Sequence, residues 1–297
     1  MKKVIIGSRG SDLALWQATF VKAELQKLNC EVEIKIIQTQ GDKIQHLSFD
    51  KLEGKGFFTK EIEDALLNGS IDLAVHSHKD LETTPPSGLK ISCVSERANP
   101  ADVLLINKSA IDENAKWSLK EGAVVGTSSA RRKSLALKFR ADVIINDLRG
   151  NVPTRIDKLR QGNYDAILLA KAGVDRLELD LSEFKEVVLD PAEFVPAPAQ
   201  GALGLQIRNE DEELHELLQK MNFPEVQKRI KLERKILNLL DGGCQLPLGV
   251  YCNENNDLYV SFADGLGNEC ISLHYVVTDF EGMAERVIVD LNQSKVG

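Results

Sequence analysis

Short β-branched runs alternate with amphipathic stretches over the first two-thirds of the chain, and that alternation restricts the fold more than any other feature. KVIIGS, EVEIKIIQ, IDLAVHS, LKISCVS, DVLLIN, AVVGTS, DVIIND and YDAILLA read as buried strands. Between them Leu13, Trp16, Phe20, Leu25 and Leu28 approximate helical spacing, as do Phe58, Ile62, Ala65 and Leu66. Strands and helices in this order predict α/β architecture with parallel sheets. The run is too long for one small sheet. SERANPAD (95–102) reads as a crossing between two lobes. LDPAEFVPAPAQG (189–201) reads as a second, because Pro191, Pro196 and Pro198 exclude helix and central strand. ALGLQIR is then a strand that returns to the first sheet. Beyond residue 215 a charged helix (225–240), a cysteine loop, two or three strands with polar turns and a helix from about 280 predict a small α+β domain. The expected division is 1–97 with 197–213, then 98–196, then 214–297.

Composition narrows the function. A net charge of -8 argues against a general nucleic-acid binder, whose footprint is basic. No apolar run approaches a membrane span, and Met1-Lys2-Lys3 leads straight into VII and Gly-Ser-Arg with no signal-peptide core. The five cysteines are scattered without a CxxC, which fits a reducing compartment. A cytoplasmic protein is expected.

Ligands in open α/β sheets bind beyond the carboxyl ends of the strands, and arginines recur there. After VIIG come Arg9 and Ser11. After DLAV come His76, Ser77, His78, Lys79 and Asp80. After AVVG come Thr127, Ser128, Ser129, Arg131 and Arg132, and after DVIINDL come Arg149, Asn151 and Arg155. Residues 126–160 hold nine basic side chains and three acidic ones, a local excess of six in an acidic protein. That points to an anionic ligand, with the helix start at Arg131 and Arg132 adding backbone N–H groups. Lys133, Lys138, Lys158 and Arg160 read instead as a solvated helix face. Asp80 is the discordant member. It is either a strand-end cap or a carboxylate placed to stabilise positive charge that develops during reaction. His76 and His78, without further Cys or carboxylate partners, make a poor metal site and read as structural.

LLDGGCQLPLGVY sets Cys244 behind two glycines, where backbone is open to the approach of something bulky. A packed or idle thiol is the alternative. KLEGKGFF (51–58) reads either as an ordinary loop or as a mobile lid. VIIGSRGSDLALW and AVVGTSSARRKSLAL echo each other, as two similar lobes facing a cleft would.

GSRGSDLALWQ, GKGFFTKEIEDALL, DLAVHSHKD, VGTSSARR, LRGNVPTR, YDAILLAKAGVDRL, PAQGALG and DGGCQLPLG occur in the order found in the porphobilinogen deaminase (hydroxymethylbilane synthase) family, which the chain resembles from residue 4 to about 250. The resemblance implies two periplasmic-binding-protein-like, doubly wound α/β lobes around a cleft and a small α+β C-terminal domain. It implies a transferase of haem biosynthesis that releases ammonia from each of four porphobilinogens and joins them into hydroxymethylbilane. The primer is a covalent dipyrromethane cofactor, one per chain, held by a thioether that falls on Cys244. Lys79, Thr127, Ser128, Ser129, Arg131, Arg132, Arg149 and Asn151 would hold the cofactor. Arg9, Ser11, Arg149, Arg155 and Arg176 would hold substrate carboxylates. Asp80 would hold pyrrole N–H groups and stabilise the azafulvenium cation left when ammonia departs, and Lys55 and Phe58 would belong to the lid. The resemblance also implies a monomer without metal, nucleic acid or membrane, passing its product to uroporphyrinogen-III synthase.

Asp12 stands where the family usually has proline, His78 where it has an apolar residue, Leu81-Glu82 for an apolar-proline pair, and PAPAQG for a valine-glycine version. His78 and Glu82 flank Asp80 and can alter its proton affinity. Two other readings compete. A two-lobed anion-binding protein of the periplasmic type explains the arginines but neither Cys244 nor the third domain. A thiol-dependent transferase needs a base near Cys244, and no histidine neighbours it in sequence.

Overall fold

A computed structural model describes residues 2–39, 59–240, 246–265 and 269–294. Lys55, Phe58 and Cys244 lie outside them, and with them the expected lid and cofactor anchor. The elements run β1 (Lys3–Ser8), α1 (Asp12–Lys27), β2 (Glu31–Ile36), α2 (Lys60–Leu67), β3 (Leu73–Ser77), β4 (Leu89–Val94), β5 (Asp102–Asn107) and β6 (Val124–Gly126). Next come α3 (Ala130–Phe139), β7 (Ile144–Asn146), α4 (Val152–Arg160), β8 (Ala166–Ala170), α5 (Lys171–Leu177), β9 (Phe184–Val188), β10 (Leu203–Arg208) and α6 (Glu212–Gln219). The last are α7 (Pro224–Leu239), β11 (Leu248–Cys252), β12 (Asp257–Ala263), β13 (Cys270–Val276) and α8 (Met283–Ser294).

The chain divides into two compact units, residues 1–98 with 201–228 and residues 99–200 with 229–297. The first is built on a five-stranded sheet in the order β2-β1-β3-β10-β4. Val4, Ile6, Val75 and Leu205 bury one face against Val21 and Leu25 of α1, and Ile62 and Leu66 of α2 cover Ile71 and Ala74. Each Val, Leu or Ile side chain so buried contributes about 1.5–3 kcal/mol. The amphipathic α6 puts Leu214 and Leu218 into this same core, so residues 212–219 pack with the first sheet and not with the C-terminal strands.

The second unit holds a five-stranded sheet in the order β7-β6-β8-β5-β9. Its cores gather Val103, Leu105 and Ile167 on one side and Leu104, Val125 and Leu168 on the other. The same unit contains the antiparallel β11-β12-β13 sheet, whose Val250 and Val260 pack with Ile236 of α7 and Val287 of α8.

Both large sheets are mixed, not parallel throughout. β10 runs antiparallel to β3 and β4, and β5 runs antiparallel to β8 and β9. These are the two strands that follow the chain crossings, so each enters its sheet from the opposite end. At the second crossing Gly201 has φ +95°, and a Cβ there would lie 2.4 Å from the carbonyl oxygen of Ala98. Only glycine fits that turn.

Candidate active site

In the first unit β1 and β3 run parallel, and their carboxyl ends open onto one cavity. Arg9 and Ser11 reach it from the turn after β1, Gln17 from α1, and His76, Ser77 and Asp80 from the end of β3. Ser11 stands at the N-terminus of α1, and Asp80 closes a single 3₁₀ turn, His78–Asp80, in which Lys79 is half-buried and Asp80 exposed. The turn holds because the His78 N–H donates to the Ala202 carbonyl on the neighbouring chain segment (3.0 Å). Gln17 is buried and donates its Nε2 to Ser77 Oγ at 2.7 Å. The His76 ring, also buried, meets Gln206 Oε1 through Nε2 at 3.1 Å, and Gln206 Nε2 donates to Glu63 Oε1 at 3.0 Å. Burial pushes His76 down to about 4, and Arg9 acts in the same direction. The ring is therefore neutral at physiological pH. Arg9, Ser11 and Asp80 come together as expected residues of one site. Gln17, Gln206 and Glu63 went unrecognised in the sequence, although a lone glutamine in the apolar run ALGLQIR was a readable sign of a buried polar bond.

The second unit repeats the strand-end pattern with another outcome. Thr127, Ser128 and Ser129 follow β6. Ser128 Oγ donates to the Leu148 carbonyl (3.0 Å) and accepts from the Leu148 N–H (3.1 Å), strapping this turn to the loop after β7. Ser129 caps α3 and Asn151 caps α4, accepting from Thr154 N at 3.0 Å. Arg149 is half-buried with its carbonyl held by Lys158, and Arg155 donates Nε to the Gly150 carbonyl at 2.7 Å. Arg176 on α5 is half-buried, and burial lowers its guanidinium to about 10.

Arg131 and Arg132 are buried and bind a carboxylate of the protein itself. Arg131 Nη1 donates to Asp102 Oδ2 (2.7 Å) and to the Val195 carbonyl (2.9 Å). Arg132 gives Nε and Nη2 to Asp102 Oδ1 (3.1 and 2.8 Å) and Nη1 to the Leu168 carbonyl (3.1 Å). Gln200 adds a bond to Asp102 Oδ1 at 2.9 Å. Burial alone raises the Asp102 carboxyl, but the two guanidiniums override it and hold it well below the usual carboxylate range. Carboxylates outside residues 126–160 meet only part of that stretch's charge excess, Asp102 for Arg131 and Arg132 and Glu183 for Arg160. Lys133 pairs with Asp147 at 2.6 Å, Arg140 with Asp142 at 2.6 Å, and Arg160 with Glu183 at 2.6 Å.

Among the described residues no group of His, Cys, Asp or Glu is arranged to hold a metal ion. Cys30, Cys93 and Cys252 are buried and in no disulfide, and burial pushes the Cys93 thiol up to about 12, which leaves it unreactive. Among the described residues no helix is long and apolar enough to cross a membrane.

Residues 4–216 match the family model of the porphobilinogen deaminase dipyrromethane cofactor binding domain, and residues 227–293 match the porphobilinogen deaminase C-terminal domain. The chain is 45% identical over 273 residues to the porphobilinogen deaminase of Sulfurimonas denitrificans, covering 90% of this chain and 84% of that one. It is 43% identical over 272 residues to that of Chloroherpeton thalassium, covering 90% and 83%. It is also similar to a Salmonella typhimurium periplasmic binding protein with high arginine specificity, at 12% identity and a TM-score of 0.41 over 77% of this chain and 94% of that one, too distant to carry an argument. Two family models that between them span nearly the whole chain, with relatives above 40% identity, show that the chain belongs to the porphobilinogen deaminase family, transferases of tetrapyrrole biosynthesis with a covalently bound dipyrromethane cofactor.

Proposed function

We propose that the cavity at the ends of β1 and β3 is where porphobilinogen reacts, with Asp80 as the group that meets its cationic centre and Arg9 and Ser11 binding its carboxylates. The observation that carries this reading is that Arg9 and Asp80 line one cavity. A porphobilinogen has an acetate and a propionate at its periphery and an aminomethyl nitrogen at its reacting end. One cavity with a guanidinium and a carboxylate matches both signs on one small molecule. Loss of ammonia leaves an azafulvenium cation, and a fixed carboxylate beside it stabilises that charge as it develops.

Dipyrromethane supplies the nucleophilic pyrrole α-carbon to which the first substrate is joined. The second unit suits its carboxylates: the two α-helix N-termini and the Ser129 hydroxyl share the carboxyl end of β6 and β7 with Arg149, and Ser128 holds the turn through Leu148. Lys79, Thr127 and Asn151 belong to the same reading, while Arg155 and Arg176 are read as binding substrate carboxylates. Arg131 and Arg132, which the resemblance assigns to the cofactor, are anchored to Asp102, opposite the end of β8. Cys244, between α7 and β11, is the residue to which we assign the thioether. Four units joined head to tail give hydroxymethylbilane. We read the chain as a cytoplasmic monomer that delivers this product to uroporphyrinogen-III synthase.

Asp80→Ala tests the assignment. Turnover of porphobilinogen is expected to fall by at least about 10²–10³-fold, with the far-UV spectrum and thermal midpoint of the parent. Turnover close to the parent's would refute the role given to Asp80.

A further inference from the structure

His76 has two ring nitrogens and the protein fixes only one. Nε2 faces Gln206 Oε1 at 3.1 Å. Nδ1 makes no hydrogen bond to any described residue and is not sealed from solvent, and the open space His76 borders is the cavity of Arg9 and Asp80. The tautomer follows from the far end of the chain of bonds. Gln206 Nε2 donates to Glu63 Oε1 at 3.0 Å, so the amide turns its NH₂ toward Glu63. That leaves the Gln206 carbonyl oxygen facing His76, and an oxygen can only accept, so Nε2 carries the proton. Nδ1 is left with its lone pair.

We propose that His76 is a second acceptor of the substrate site, locked as the Nε2–H tautomer by Gln206 and Glu63, and that its Nδ1 receives an N–H of the aminomethylpyrrole beside Asp80. The proposal rests on the cavity being the substrate site. His76 is then a binding residue, and Gln206 and Glu63 act through it as positioning residues. Arg9 from the end of β1 and Asp80 from the turn after β3 border the same space, and Glu63 of α2 stands behind Gln206 of β10. A protonated imidazole would present a donor to a substrate N–H and repel the ammonium group. Burial and the Arg9 charge keep the ring neutral, so it accepts throughout the range above about 4. Burial also raises Glu63 above its ordinary range, so acid loosens the lock from that end first.

Two measurements on the full-length holoenzyme test this. In ¹⁵N-histidine spectra at neutral pH, the signal lost in His76→Gln is expected to show a protonated Nε2 and a bare Nδ1. For porphobilinogen turnover, His76→Gln keeps a polar group toward Gln206 but removes the one at the Nδ1 position, and kcat/KM is expected to drop about ten- to a hundredfold. His76→Asn sets its side-chain oxygen where Nδ1 stood and is expected to regain part of that loss. A purely structural histidine gives the reverse order, with His76→Gln the better variant. A protonated Nδ1, or His76→Gln at the parent rate while Asp80→Ala is inactive, overturns the role of His76 alone. If Asp80→Ala is active as well, the cavity itself has been misassigned.

Discussion

Arg9 follows β1, and Arg131 and Arg132 follow β6, each just past the carboxyl end of a parallel strand. The sheets correspond strand for strand, β2-β1-β3-β10-β4 against β7-β6-β8-β5-β9. The antiparallel strand in fourth place decides what becomes of the arginine. In the second unit that strand begins with Asp102, paired in register with Ala170 at the end of β8. In the first it begins with Leu203, in register with Ser77 at the end of β3. One register position thus carries a carboxylate in one lobe and an apolar side chain in the other. With the carboxylate, two guanidiniums are drawn into a buried ionic cluster. Without it, Arg9 lines a cavity beside Asp80. A basic residue at a strand end is therefore ambiguous until the residue opposite it across the sheet is known.

The comparison breaks most severely at Asp102. Asp102→Ala strands two buried cations, and removing one partner of such a cluster costs about 3–5 kcal/mol. The thermal midpoint is expected to fall by on the order of 10 °C, and a midpoint near the parent's would mean the cluster is not held by charge. The sign with pH follows. The folded carboxyl lies below its unfolded value of about 3.9, so its contribution is complete at neutral pH and fades as the solution is acidified below that value. Asp102→Asn should lose that acid-dependent part of the stability curve.

Arg9→Ala is the counterpart in the other lobe. Its midpoint is expected to stay within a few degrees while kcat/KM for porphobilinogen falls about ten- to a hundredfold, the loss of one charge-assisted contact. Arg132→Ala should show the converse, a lowered midpoint, because all three guanidinium nitrogens are committed to Asp102 and the Leu168 carbonyl. If Arg9→Ala unfolds and Arg132→Ala does not, the contrast between the lobes is inverted. The smallest effect belongs to Ser128→Ala, which removes the reciprocal strap to Leu148. About 1 kcal/mol is expected, read as a shift of about 2–4 °C in the melting curve.

Much of this architecture is legible in the residues. Every β-branched run singled out in the sequence forms a strand, because short runs of β-branched residues between turn residues pack best on a pleated surface. FKEVV escaped because its charged residues give it the look of a loop, though β9 is a sheet edge, where half-buried Lys185 and exposed Glu186 are tolerated. EELHELLQ escaped because its short helix follows a change of composition, and only Leu214 and Leu218 reveal the core it joins. Of the candidate site, Arg9, Ser11 and Asp80 could be read from strand-end position. The fate of Arg131 and Arg132 could not, since Asp102 lies 29 and 30 residues away in sequence and nothing local announces the pairing. His76 looked structural for the same reason, its partner Gln206 being 130 residues distant.

The claim that most needs a direct test is the covalent primer on Cys244. The intact mass of the purified protein, measured beside a Cys244→Ser variant, decides it. The account predicts an added mass equal to two porphobilinogens less two ammonias on the parent chain and none on the variant. A bare parent chain that stays bare after incubation with porphobilinogen, or a variant that carries the same addition, would contradict it.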